Sequence, residues 1–158
     1  MYTKLAGEKF IEDAVNRYSD TVFRVAFQYT YDRSDAEDIL QEVFLQLLRT
    51  PPPITGNDER IKAWLIRVTI NKSKDFLRAR KRRRAAVAER EPFARPAVCD
   101  DVFEALSKLS EHDRNVIYLH YYEGYTAKEI ARLTGGSERA VTKRIGRARE
   151  KLKDILEE

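Results

Sequence analysis

Apolar residues recur at helical spacing along most of this chain, and the breaks between the periodic stretches mark out its helices. Phe10, Ile11, Ala14, Val15 and Tyr18, followed by Val22, Phe23, Val25, Ala26 and Phe27, predict one or two core helices over residues 8–31. Ser34 and Glu37 have the spacing of a capping box and predict a helix from Asp35 to Arg49, with Ile39, Leu40, Val43, Phe44, Leu47 and Leu48 on one broad apolar face. Three prolines, Pro51 to Pro53, stop that helix because they cannot continue its hydrogen-bond ladder. Asn57 or Asp58 can cap the next helix, Arg60 to about Arg84, whose Ile61, Leu65 and Val68 face one way. Periodicity is then lost over residues 85–100, which carry Pro92 and Pro96, and returns with Val102, Phe103, Leu106 and Leu109. Ser110 caps a helix through Val116, Ile117, Leu119 and Tyr121, with Gly124 closing it. The expected fold is all-α: two small helical domains, residues 1–85 and 101–158, joined by a linker at 86–100.

The second domain ends in the most structured pattern of the chain, TAKEIARLTGGSERAVTKRIGRAR from Thr126 to Arg149. Thr126 and Glu129 form a second capping box, Ile130, Ala131 and Leu133 give a short apolar face, Gly135 and Gly136 supply a turn, and Ser137 caps the second helix. At about 100° per residue, Val141, Ile145, Ala148, Leu152, Ile155 and Leu156 share a stripe about 100° wide, while Arg139, Thr142, Lys143, Gly146 and Arg147 point away from it. This is a helix-turn-helix pattern with a basic second helix, although a helical hairpin with a solvated charged face reads the same way.

Charge changes the picture through its distribution. The 158 residues carry 30 Lys and Arg against 26 acids, a net +4 with a pI near 9.2. Between residues 60 and 84 there are eleven Lys or Arg against one acid, Asp75, a local +10. Arg67, Asn71, Lys74, Arg78, Lys81 and Arg82 share one stripe of that helix with Trp64 at its border, the composition expected where bases are held against an aromatic ring or a guanidinium. A core position is the alternative for part of the Trp64 ring. The preceding helix has the opposite character, with Asp35, Asp38, Glu42, Gln46 and Arg49 within an arc of about 80°, either a solvated face or a docking surface for a protein partner. A single cysteine, Cys99, and two histidines, His112 and His120, lack metal-ligand or catalytic spacing. No phosphate loop or nucleophile motif is present, so neither a cofactor nor enzymatic activity is expected. No apolar run approaches a membrane span and no signal peptide is evident, which predicts a cytoplasmic protein without membrane insertion.

Three of these stretches, in this order, resemble the extracytoplasmic-function (ECF) sigma factors, the short members of the sigma-70 family. DAEDILQEVFLQLLR (35–49) is similar to the region 2.2 helix that docks on the β′ clamp of core RNA polymerase. KAWLIRVTINKSKDFLRARKR (62–82) is similar to the helix that reads and opens the −10 element, and residues 106–152 resemble region 4, which reads the −35 element and touches the β flap. The resemblance implies a sigma region 2 domain and a helix-turn-helix sigma region 4 domain, with core polymerase, promoter DNA and an anti-sigma factor as partners. It assigns polymerase binding to Asp35, Asp38, Gln41, Glu42, Phe44, Gln46 and Arg49, and −10 contact to Trp64, Arg67, Asn71, Lys74, Arg78, Lys81 and Arg82, with the loop from 51 to 58 as a wall for a flipped base. The −35 contacts fall to Ser137, Arg139, Thr142, Lys143, Arg144 and Arg147. Gly136 stands where the family usually has an aliphatic residue, and Gly146 lies within the recognition helix, where glycine costs about 1 kcal/mol relative to alanine. A free-standing helix-turn-helix regulator and a nonspecific RNA-binding adaptor are the other readings of the same charge pattern.

Overall fold

The computed structural model describes residues 4–52, 57–86 and 101–157. Every regular element among them is helical. Three long helices come first: α1 (Lys4–Thr30), α2 (Arg33–Arg49) and α3 (Asp58–Ala86). Four more come after: α4 (Asp101–Ser107), α5 (Glu111–Ile117), α6 (Ala127–Thr134) and α7 (Glu138–Glu157), with a π-helical turn over Tyr118–Tyr122 continuing α5. The sequence therefore forms one 27-residue helix where one or two were expected. Cys99, most of the expected linker and part of the Pro-rich loop lie outside the described residues.

The caps explain most helix ends. α2 begins earlier than the capping-box pattern predicts, because Asp32 and not Ser34 is the cap: extended at φ −140°, it accepts the Asp35 amide at 2.9 Å. Glu37 turns instead to Arg33, one turn back, at 3.1 Å. An ionised carboxylate beside the amino end of a helix is a stronger acceptor than a hydroxyl, and places Ser34 inside the first turn. Asn57 caps α3 by accepting from the Arg60 amide, and Ser110, Thr126 and Ser137 cap α5, α6 and α7 as expected. Gly135 ends α6 at φ +82°, a left-handed conformation that a side chain resists. Gly124 (φ +78°) lets the Tyr125 amide reach back to the Leu119 carbonyl at 2.9 Å, closing the π turn.

Two apolar clusters result. In the first, Ala14, Val22 and Ala26 of α1 meet Ala36, Ile39, Val43 and Leu47 of α2 and Ile61, Leu65 and Val68 of α3. Phe10, Ile11, Tyr18, Phe23 and Phe27 fill its margins, so the aromatics of α1 are packing residues. The second cluster crosses between the two halves of the chain. Val25 and Tyr29 of α1 and Ile66 and Ile70 of α3 are buried together with Val116, Leu119, Ile130, Leu133, Val141 and Ile145 from the carboxy-terminal helices.

Candidate nucleic-acid interface

α3 carries three faces. Ile61, Leu65 and Val68 enter the first cluster. Roughly 150° around the helix, Ile66, Ile70 and Leu77 lie within an arc of about 40° and pack on the second cluster. The remaining face holds Arg67, Asn71, Arg78, Lys81 and Arg82, all exposed, with Lys74 half-buried. Trp64 is half-buried and packs against the first cluster, so at least part of its ring is a wall of the bundle. Of the eleven cations counted between residues 60 and 84, Lys62 and Arg80 are committed within the molecule: Lys62 to Glu123 at 2.8 Å and Arg80 to Asp35 at 3.2 Å, while exposed Arg78 sits 3.1 Å from Asp75, its neighbour one turn back. Lys74, Arg78, Arg80, Lys81 and Arg84 line one side of a cleft of about 740 Å3, closed on its other side by Glu111, His112 and Arg114 of α5.

α7 is a basic helix held by one acid. Val141, Ile145 and Ala148 are buried against α5 and α6, while Arg139, Thr142, Lys143 and Arg147 stay in solvent. Ser137 is spent on the cap. Arg144 behaves differently from its neighbours, since its guanidinium meets Asp113 of α5 at 3.0 Å, and Lys151 reaches the other oxygen of the same carboxylate at 3.4 Å. The Asp113 side chain is only 8% exposed, so this pair of cations sets the roll of α7 on α5. The local sequence pattern does not single out Asp113. Its signal is an acid in the first turn of a capped helix with no basic neighbour at i+4, which leaves it to find its partner elsewhere in the chain.

On α2 the polar face is divided. Asp38, Gln41, Glu42 and Arg49 are exposed, Gln46 is half-buried, and Phe44 packs its ring on the first cluster. Asp35 lies a quarter exposed beside Arg80. Burial first and Asp32 next hold its carboxyl above the usual carboxylate range, with Arg80 offsetting part of this and Asp38 adding to it. Leu48, expected on the buried face, is instead 57% exposed, and Leu45 is 39% exposed. Helical arithmetic places both on the side that bears Asp38 and Gln41. The acidic stripe is therefore a mixed surface, with two leucines set among carboxylates and amides. Such a surface is suited to a protein partner more than to solvent alone.

These features have counterparts in known proteins. Residues 14–83 match the family model for sigma-70 region 2, and residues 99–152 match the one for sigma-70, region 4. The RNA polymerase sigma factor CarQ of Myxococcus xanthus is 32% identical over 160 residues, aligned along 93% of this chain and 89% of its own length. The chain belongs to the sigma-70 family. Among other relatives of this sigma factor, the RNA polymerase sigma factor SigV of Bacillus subtilis is 29% identical over 153 residues, covering 94% of the chain and 92% of the relative. The structure of CnrH in complex with the cytosolic domain of CnrY superposes with a TM-score of 0.67 at 28% identity, over 95% of this chain and 89% of the other. The sigma factor RpoE from Bartonella quintana, solved with the anti-sigma factor NepR, shares the fold with a TM-score of 0.76 at 20% identity, over 94% of this chain and 98% of that one. The region 2 match runs from within α1 to within α3, and the region 4 match covers α4 to α6 and most of α7. The groups that project into solvent from α3 and α7 are the sigma factor's two basic surfaces. The described residues hold no cluster of His, Cys, Asp and Glu fit for a metal ion and no helix long and apolar enough to cross a membrane.

Proposed function

We infer that this sigma factor binds core RNA polymerase through α2 and directs it to promoters that carry matched −10 and −35 elements. The observation that carries this reading is the occurrence, in one chain, of a basic α3 and a basic α7 in its two halves, with α2 of the first bundle presenting acidic and apolar side chains to solvent. Asp38, Gln41, Glu42 and Arg49, with Leu45 and Leu48 among them, form the docking surface for the β′ clamp. Phe44 and Asp35 shape it from beneath, one by packing and the other through Arg80.

On α3, Arg67, Asn71, Lys74, Arg78, Lys81 and Arg82 follow the phosphates and bases of the −10 element. Trp64 stands at the edge of the same stripe as a stacking surface for an unpaired base. On α7, Arg139, Lys143 and Arg147, with Thr142, enter the major groove of the −35 element. A good bidentate contact there distinguishes bases by about 1–3 kcal/mol. Arg144 contributes to this surface through its hold on Asp113. The chain's role is regulatory and not catalytic, exercised in the cytoplasm, with an anti-sigma protein as its negative regulator.

The test is binding to core polymerase by Asp38→Lys together with Glu42→Lys. Reversing two exposed acids leaves the bundle intact, so affinity for core polymerase should fall at least tenfold with unchanged helicity. Unchanged affinity would sink the assignment of α2 as the docking helix.

A further inference from the structure

The cleft of about 740 Å3 between α3 and α5 has a lining that is almost wholly cationic. Lys74, Arg78, Arg80, Lys81 and Arg84 come from α3 and Arg114 from α5, against one carboxylate, Glu111. Lys74, Arg78 and Lys81 follow one another at i, i+4 and i+7, so they make a row about 10 Å long on one face of the helix. Two of the six cations have acids of their own: Arg80 meets Asp35 at 3.2 Å and Arg78 meets Asp75 at 3.1 Å. Half-buried Lys74 and exposed Lys81 join no ion pair among the described residues. Arg114 is the cation that solvent relieves least. It is 7% exposed, and its guanidinium donates to the Gln28 carbonyl at 2.8 Å and to the Leu109 carbonyl, both neutral acceptors. No carboxylate pairs with it among the described residues. Burial holds its pKa below the ordinary arginine value, with Tyr31 and Glu111 acting the other way.

Charge and shape together select the ligand. A buried guanidinium with only neutral partners has given up hydration without gaining a counter-charge, and an anion in the cleft would supply one. The Arg114 bond to Gln28 also covers a carbonyl near the end of α1, where the negative end of the helix dipole would otherwise repel an anion. Counting Asp35 and Asp75 with their arginines, and Glu111, six cations face three acids, an excess of three. A single phosphate group carries about −1.5 to −2 near neutral pH and would leave much of that excess unmet, whereas a chain of three phosphoryl groups carries about −4. The row from Lys74 to Lys81 likewise suits an extended anion better than a compact one. Tyr29 and Leu77, both in the lining, add low-dielectric surface that strengthens attraction within the cleft. Its volume is that of a small-ligand pocket.

We propose that this cleft is a binding site for a small linear polyphosphate, with Lys74, Arg78 and Lys81 along one side of the phosphoryl chain and Arg114 on the other. The same chemistry is offered by inorganic triphosphate and by the tail of a nucleoside triphosphate. Binding requires neither core polymerase nor DNA, so it stands apart from the promoter-reading role. The α3 cations are shared with the face assigned to the −10 element, but Glu111, His112 and Arg114 are not. Variants on α5 therefore distinguish a ligand held in the cleft from an anion resting on the open face of α3.

The test is calorimetric titration of the full chain with inorganic tripolyphosphate, ATP and orthophosphate, at about 0.15 M salt so that diffuse charge attraction is screened. Tripolyphosphate should bind at least tenfold more tightly than orthophosphate. ATP binding as tightly as tripolyphosphate identifies the phosphate chain alone as what is read, and tighter binding of ATP identifies a nucleotide. His112→Asp should weaken tripolyphosphate about fivefold and Glu111→Gln should tighten it severalfold, the effect of one charge at a partly exposed position. A gain of affinity in Glu111→Gln is a result that a misfolded variant does not mimic. Lys128→Gln removes an equal charge from the exposed side of α6 and should leave the affinity unchanged. The two histidines report the location by NMR. The His112 ring signals should move on titration, while those of His120, whose Nδ1 lies 2.8 Å from the Tyr125 carbonyl, should not. Burial first, then Lys74 and Arg144, lower the His112 pKa against the influence of Glu111 and Asp113, and the bound anion should raise it. The proposal is overturned if tripolyphosphate does not bind, if orthophosphate binds equally well, or if affinity is indifferent to both α5 variants and the His112 signals stay in place.

Discussion

The Asn115 side-chain amide donates to the hydroxyl of Tyr29 at 3.0 Å, a hydrogen bond between two buried groups that lie 86 residues apart and on different halves of the molecule. Asn115 is 1% exposed and Tyr29 3%, so neither group has water to fall back on. Burial pushes the Tyr29 phenol far above its usual range, and the neighbouring Glu111 pushes it the same way. Tyr29→Phe would strand the buried amide and should cost about 1–3 kcal/mol in urea unfolding. Adding Asn115→Leu should recover part of that loss, because an apolar pair of similar shape leaves nothing unsatisfied. Equal midpoints for Tyr29→Phe and wild type would show that the amide finds another partner.

Arg144 and Arg147 are one turn apart on α7 and should respond in opposite ways to truncation. Arg147→Ala removes an exposed cation and should lower −35 affinity and the salt dependence of binding, with stability within about 0.5 kcal/mol of wild type. Arg144→Ala takes one of two cations from buried Asp113 and should destabilise region 4 by about 1 kcal/mol, a modest figure because Arg144 is itself half-exposed and Lys151 remains. Melting temperature and a salt titration of DNA binding in the polymerase complex separate the two. Equal losses of stability would contradict the assignment of Arg144 to α7's seat on α5.

His112 gives the contact between the domains a pH dependence. Its ring meets Tyr29 edge-on at 5.9 Å. Burial lowers its pKa first, and Lys74 and Arg144 lower it further, against the raising influence of Glu111 and Asp113. A histidine whose folded pKa lies below the unfolded value stabilises fully above about 6.5 and loses that contribution as the pH falls below it. Part of the ring is in solvent, so the change is small. Unfolding midpoints should decline between pH 7.5 and 5.5 more for wild type than for His112→Gln, and parallel declines would remove His112 from the account.

Gly146 lies within α7, where a Cβ would meet nothing within 4 Å. Gly146→Ala should therefore stabilise the protein by about 0.5–1 kcal/mol, the ordinary helix-propensity difference, and raise the melting temperature by a few degrees. A lower melting temperature would mean that the helix needs the glycine.

The features legible in the sequence were those that neighbours in the chain decide. The caps at Ser110, Thr126 and Ser137, the turn at Gly135 and the outward set Arg139, Thr142, Lys143 and Arg147 each depend on residues within two turns of each other. Asp32 displaced Ser34 because two acceptors competed for the same first turn, and the spacing rule does not weigh one against the other. The third face of α3 is not legible in the local pattern for a different reason. Ile66 and Ile70 lie between the core stripe and the basic one, and the residues that cover them, Val116 to Ile130, come about fifty positions later. Leu45 and Leu48 carry the same lesson for α2, since apolar spacing alone does not tell which side of a broad face the bundle covers.

The most direct test of the whole account is run-off transcription with core polymerase on a library of promoters, with and without this chain. The account predicts that the chain adds a set of new start sites whose upstream DNA shares a −10 and a −35 element at a fixed spacing, and that Arg139→Ala and Asn71→Ala each weaken recognition of only one of the two elements. Start sites that do not change when the chain is added, together with tight sequence-specific binding of the chain alone to duplex DNA, would contradict it.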